Sequence, residues 1–209
     1  MTIDLASADA LLTTTRAVRK RLDFSRPVAR ETVLECVRIS QQAPTGGNSQ
    51  SWRWIIVDDA DKRKEVAKLF QDAIGTRFTE ASNAAKAAGN DQSARVYAGA
   101  QYLVDRFHEV PIHAIACLEG AFPPEFAAMA GSSIYPAVWS FQLALRARGL
   151  GSTLTTGLGM VSQEEKTRVL GIPDDVTVYA LLPVAYTIGT DFKPAARPAA
   201  ESIVHWNGW

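Results

Sequence analysis

A single domain of mixed helices and strands is the fold class this sequence predicts, on three observations. Its 209 residues are 47% hydrophobic, enough to bury a sizeable core and too apolar for a disordered chain. Short strand-like apolar runs are interspersed with segments of helical period. No internal repeat interrupts them.

The elements follow in order. "DALLTTTRAVRKRL" predicts a first helix and "RETVLECVRISQQA" a second, with Val33, Leu34, Val37 and Gln41 on one side and Pro44 ending it. The loop "APTGGNSQSW", Ala43 to Trp52, then leads into the strand-like "WRWIIVDD". Asp61 opens a charged helical stretch through Phe70. Residues 71–101 are Ala-rich, polar and weakly periodic, and read as a mobile excursion or lid. "VPIHAIACL" is a buried strand. The strongest helix follows: Ile134, Val138, Phe141 and Leu145 recur at helical spacing, Ala137, Trp139 and Ala144 widen the apolar face, and Gly149 stops it. So wide a face predicts burial on more than one side. "STLTTGL" reads as a strand ending in a turn. "SQEE", Ser162 to Glu165, starts a capped helix that Gly171 and Pro173 close. "VTVYALLPVAY", Val176 to Tyr186, is the last strong strand. Beyond Gly189 the chain cannot form a core of its own, and Trp206 and Trp209 there need a surface to lie on.

Charge and composition exclude several classes. Lys plus Arg equals Asp plus Glu at 22 each, so there is no global field for nucleic acid or an anionic membrane, and any cationic site is local. The apolar runs fall well short of the roughly 20 residues that span a bilayer, and "MTIDLASADA" lacks the basic end and apolar block of a signal peptide. A cytoplasmic protein is expected. Cys36 and Cys117 sit in apolar settings without a partner pattern, as small core residues in a reducing compartment.

Familiar chemistries are missing. No GxGxxG follows a strand, no GxxxxGK[ST] is present, and "TTGLG" is too short to count as either. His108, His113 and His205 show no metal-ligand spacing, so no metal is expected. Ser132 and Ser133 lack the pattern around a nucleophile. No catalytic acid, base or nucleophile stands out.

Three local clusters remain, each with a plain structural alternative. In "TTRAVRKR", Arg16 and Arg19 share a face if the segment is helical and Lys20 joins them; two guanidinium forks suit a phosphate, although a solvated basic face has the same pattern. In the loop, Thr45, Asn48 and Gln50 offer hydroxyl and amide groups while Gly46 and Gly47 allow close backbone approach, as a simple helix-to-strand connection also would. In "TTGL", Thr155 to Leu158, a glycine at a strand end exposes backbone N–H groups beside two hydroxyls, or merely turns the chain.

Together and in this order, with a long apolar helix ending "GLGS" and a lone arginine in the tail, these features resemble the nitroreductase family of FMN-dependent oxidoreductases over nearly the whole chain. The resemblance implies an α+β fold with a central, mostly antiparallel sheet flanked by helices. It also implies a domain-swapped type of homodimer with FMN at the interface, held by the arginines of one subunit and the loop of the other. The family's R-S-x-R pattern falls on Arg16, Ala17, Val18 and Arg19, which implies that Arg16 and Arg19 grip the FMN phosphate; the family serine is Ala17 here. Arg21 stands where the family often has an aromatic, and Ser51 replaces a proline before Trp52. Pro44, Thr45, Asn48 and Gln50 match positions that meet the flavin or its ribityl chain. The backbone of Thr156, Gly157 and Leu158 aligns with the segment facing the reactive edge. Arg197 matches the tail arginine of the phosphate site, with Lys193 its nearest competitor.

In such an enzyme the flavin carries the chemistry and no side chain is required for it. The implied function is hydride transfer from NADH or NADPH, through FMN, to nitroaromatic, quinone or similar small acceptors. The alternatives are another flavoenzyme on the same fold, such as an ene-type reductase, a reductive dehalogenase or a flavin-fragmenting enzyme, and a non-catalytic flavin-binding protein.

Overall fold

The computed structural model describes residues 2–120 and 122–209. Among them the chain runs α1 (Leu5–Thr14), β1 (Leu22–Asp23), α2 (Arg30–Ser40), β2 (Trp52–Val57), α3 (Ala60–Ile74), α4 (Arg77–Ala87) and α5 (Asp91–Asp105). It continues with β3 (Ile112–Glu119), α6 (Ala127–Ala147), β4 (Leu150–Ser152), α7 (Gln163–Leu170) and β5 (Val176–Thr187). β3 lies between β2 and β5, and β5 also pairs with β1 and β4; every pairing of these strands is antiparallel. This is the expected α+β arrangement.

Successive strand side chains point to opposite faces, and β3 thereby serves two cores. Ile112, Ala114, Ala116 and Leu118 pack with α2 and α6, against Val33, Ile134, Phe141 and Leu145. Ile115 and Cys117 pack with α3 and α5, against Val66, Phe70, Leu103 and Phe107. A strand covered on both faces has no polar side to show, which is why "VPIHAIACL" reads as one apolar run. The four periodic residues of α6 are fully buried, each contributing about 1.5–3 kcal/mol. Tyr135 and Trp139 stay exposed on the same helix, so its apolar surface exceeds what this core uses. Both cysteines are buried and free, and burial pushes their thiols up to about 11 for Cys36 and about 12 for Cys117.

Three local expectations are corrected. α1 stops at Thr14, so Arg16 and Arg19 are not on a helix. Thr13, Thr14 and Thr15 hydroxyls bond back to the carbonyls of Asp9, Ala10 and Leu11, each at 2.6 Å, and the chain beyond is drawn into pairing with Ser152. On α2 the buried stripe is Val33, Cys36 and Ser40, while Leu34 is 49% exposed and Gln41 lies beyond the helix; packing against α6 picks a different side. Most of the weakly periodic 71–101 segment is a helical hairpin, α4 and α5, closed by left-handed Gly89 and by Ser82 Oγ donating to Ala94 O at 3.0 Å. The strand expected in "STLTTGL" lies earlier, at Leu150–Ser152, so that only Ser152 belongs to both, and Gly157–Met160 is a 3-10 turn. The tail beyond β5 holds only a short turn, Ala200–Ser202, and Trp206 and Trp209 are 85% and 105% exposed. No helix among the described residues is long and apolar enough to cross a membrane.

Candidate functional site

The N-terminal arm builds one wall of a cleft. Val18 N–H donates to Ser152 O at 2.9 Å, and Ala17 bridges Ser152 in parallel fashion. Val18 is buried against Gly151, where any side chain would collide with it and with Thr187. That clamp turns Arg16, Ala17 and Arg19 onto a cleft of about 610 Å³. Lys20 and Arg21 join them, α5 adds Gln92, Arg95, Val96 and Gly99, and the tail adds Asp191, Phe192 and Lys193.

The unusual Arg21 has a partner of its own. It pairs with Asp191 at 2.5 Å, donates from Nε to Ile188 O at 2.8 Å, and lies over the Phe192 ring at 4.3 Å. It thus fastens the root of the tail to the arm, and holds the Asp191 carboxyl below the usual range. Among the described residues Arg16, Arg19, Lys20 and Arg95 form no ion pair.

Arg19 also borders a smaller pocket of about 80 Å³, lined by Phe70, Phe78, Phe107, Leu154 and Thr155 among others. Burial pulls its guanidinium below the ordinary arginine value, though an arginine so placed remains charged. Thr155 is fixed by exchanging two hydrogen bonds with Leu181, at 3.0 and 2.8 Å, and its Oγ1 accepts from Gly157 N–H at 3.3 Å. Gly157 and Leu158 are buried while Thr156 is exposed. Gly157 serves packing, since a side chain there would meet the Phe70 ring.

The loop before β2 lies elsewhere. Ser133 of α6 holds both of its ends: Oγ accepts from Gly46 N–H at 3.1 Å, and the carbonyl accepts from Trp52 Nε1 at 3.0 Å. Gly47, Asn48 and Gln50 take left-handed φ of 58°, 54° and 48°. For the two non-glycine residues this costs on the order of 1 kcal/mol each. Gln50 Nε2 donates to Asn48 Oδ1 at 2.8 Å and Gln50 N–H approaches Thr45 Oγ1 at 3.4 Å, yet Pro44, Asn48 and Gln50 remain exposed. The groove beside this loop, about 380 Å³, shares no lining residue with the basic cleft.

One chain therefore joins Arg16, Ala17 and Arg19 in a cleft and brings the Thr155 turn beside Arg19, but leaves Pro44, Thr45, Asn48 and Gln50 apart. Arg197 is exposed, donates to Ala196 O at 3.1 Å and is absent from the cleft wall, where Lys193 stands. Sequence reading missed Gln92 and Arg95, whose i, i+3 spacing sits in the weakly periodic segment. It also missed Ser133 as the anchor of the loop.

An antiparallel sheet flanked by helices, with a basic cleft and a small aromatic pocket that share Arg19, defines an α+β protein. A sequence model described as the nitroreductase family matches residues 12–186, and the chain belongs to that family. A 5,6-dimethylbenzimidazole synthase from Rhodospirillum rubrum is 29% identical over 189 residues, 85% of this chain and 81% of the relative. The crystal structure of oxidized iodotyrosine deiodinase bound to FMN and 3-iodo-L-tyrosine has a TM-score of 0.70 at 22% identity, covering 95% of this chain and 98% of that one. The FMN- and NADPH-dependent nitroreductase NfnB from Sphigopyxis sp. strain HMH has a TM-score of 0.68 at 21% identity, covering 97% and 99%. At these identities the two structures share the fold.

Proposed function

We propose that the chain binds FMN with its phosphate against Arg16 and Arg19, and that it passes hydride from NADH or NADPH to nitroaromatic, quinone or similar electrophilic acceptors. The observation that carries this is the position of Arg19, unpaired, on both the basic cleft and the aromatic pocket beside Thr155. A ligand with a phosphate at one end and a flat ring at the other suits that junction. Bound FMN would supply the site that accepts and returns hydride.

The chain's own residues bind, orient and enclose. Arg16 and Arg19 fix the phosphate with planar forks. The Thr155 to Leu158 turn, braced on Leu181 and Phe70, holds the flavin edge. The Asn48 and Gln50 amides act on the flavin of a second copy, because within one chain they lie off the cleft. The homodimer this requires is favoured by the exposed Tyr135 and Trp139 of α6, by α1, which buries no residue, and by the exposed tryptophans of the tail. The α4–α5 hairpin serves as the lid, the remainder of the chain forming one FMN-binding domain with an extended tail from about residue 190.

A flavoenzyme of different outcome is the second reading, favoured by the synthase relative that spans most of the chain at 29% identity. One assay separates the two. Purified protein is analysed for FMN released on denaturation, then given each nicotinamide with a panel of quinones, nitroaromatics and halogenated aromatics. Steady donor oxidation with quinone or nitroaromatic supports the reductase. Turnover confined to halogenated aromatics favours the second reading, and a protein that neither carries nor takes up FMN sinks both.

A further inference from the structure

The cleft concentrates cations in a chain whose formal net charge is zero. Six cationic side chains line it, and its one carboxylate, Asp191, is already engaged by Arg21. A phosphate monoester carries about two negative charges, which Arg16 and Arg19 meet. Like charges held together repel, and a bound anion relieves that repulsion. On α5 the residues Gln92, Arg95, Val96 and Gly99 follow spacings of three, one and three, a single helix face, and all four line the cleft. Gly99 keeps that face low where the stem of Arg19 crosses it, and Arg95 stands exposed without an acidic partner among the described residues. The cleft is roomy for one phosphate at about 610 Å³, and through Arg19 it adjoins the aromatic pocket.

We propose, resting on the FMN reading above, that the cleft admits a second anion carried by a reacting molecule, and that Arg95, with Lys193 beside the tail root, selects reactants bearing that anion. Two sources share the chemistry: an additional phosphate on the dinucleotide donor, or a carboxylate on the aromatic acceptor. α5 lines both spaces, with Arg95 on the cleft and Ala100, Leu103 and Val104 on the aromatic pocket.

The test uses FMN-loaded wild type, Arg95→Gln and Arg95→Lys at low ionic strength. One arm compares NADPH with NADH on the neutral quinone menadione; the other compares 4-nitrobenzoate with 4-nitrobenzyl alcohol. In at least one arm wild type is expected to favour the anionic reactant in kcat/KM by about tenfold, the scale of one hydrogen bond to a charged group. That preference should collapse toward one in Arg95→Gln, return in Arg95→Lys and shrink as salt is added. Calorimetric affinity for adenosine 2′,5′-bisphosphate or 4-nitrobenzoate should fall in parallel. No preference in either arm of wild type overturns the proposal, as does an equal loss for anionic and neutral reactants. Loss of FMN from Arg95→Gln overturns it too, by giving Arg95 to the cofactor phosphate. Failure of wild type to bind FMN would sink the reading beneath and take the proposal with it.

Discussion

The ring of Phe70 on α3 fills the space that a side chain on Gly157 would need, and Ile74 closes what is left. Glycine at 157 is thus set by packing beneath the Thr155 turn. Gly157→Ala should overpack this contact and cost about 1–3 kcal/mol, read as a lowered Tm. Combining it with Phe70→Leu should recover part of the loss, because the two changes share one contact. Equal melting of Gly157→Ala and wild type would contradict the packing account.

Arg19 borders both the cleft and the aromatic pocket, whereas Arg16 borders the cleft alone. Arg16→Ala and Arg19→Ala should each weaken FMN binding by about 1.5–3 kcal/mol, with Arg19→Ala the larger, measured by flavin fluorescence titration. Arg197→Ala in the same series reports whether the tail arginine reaches the phosphate in the assembled protein. Undiminished affinity in both arginine variants of the arm would remove the phosphate assignment.

His113 is buried in β3, its Nε2 donating to Phe107 O at 2.8 Å while Nδ1 has no partner among the described residues. Burial pushes its pKa down from 6.5 to about 4. Between those values the unfolded chain takes up a proton that the folded chain refuses, so stability falls as pH drops, by on the order of 3 kcal/mol at pH 4. His113→Gln should flatten that part of the pH–stability curve, whatever its absolute stability. Denaturant melts with the same slope for both proteins between pH 6.5 and 4 would rule this out.

Donor and acceptor are expected to use one cleft in turn, under one hairpin. Double-reciprocal plots should be parallel, and a nicotinamide alone should bleach the flavin without oxygen. Thr155→Ala and Thr156→Ala should slow turnover by about tenfold, roughly 1.4 kcal/mol, by loosening the turn. Intersecting lines would point to separate pockets.

Removing the tail after Ala199 should lower FMN content and dimer stability together, since Trp206 and Trp209 stand almost fully exposed on the single chain. Light scattering that finds a truncated dimer with full flavin would assign the tail another role.

The core was legible because its signals are local: α6 and β5 carry their periodicity in consecutive residues. The arm was not, because Val18 and Ser152 meet across 134 positions of sequence and their pairing overrides the helical pattern of "TTRAVRKR". The α4–α5 hairpin hides for a different reason. It buries small residues such as Ser82, Ala94 and Gly99, which leave little hydrophobic contrast. Of the site, the Arg16 and Arg19 pair was readable. The contribution of Arg95 was not, as nothing near it in sequence points to the cleft.

Under the proposed role of the Asn48 and Gln50 amides on the flavin, the left-handed backbone at these two residues sets stability against activity. Glycine at either position would relax the loop and raise heat resistance by a few tenths to about 1 kcal/mol, yet would delete the amide that the strain holds in place. Variants selected for thermal endurance alone would therefore drift toward glycine here and lose flavin, whereas selection that also demands colour would keep the strained pair.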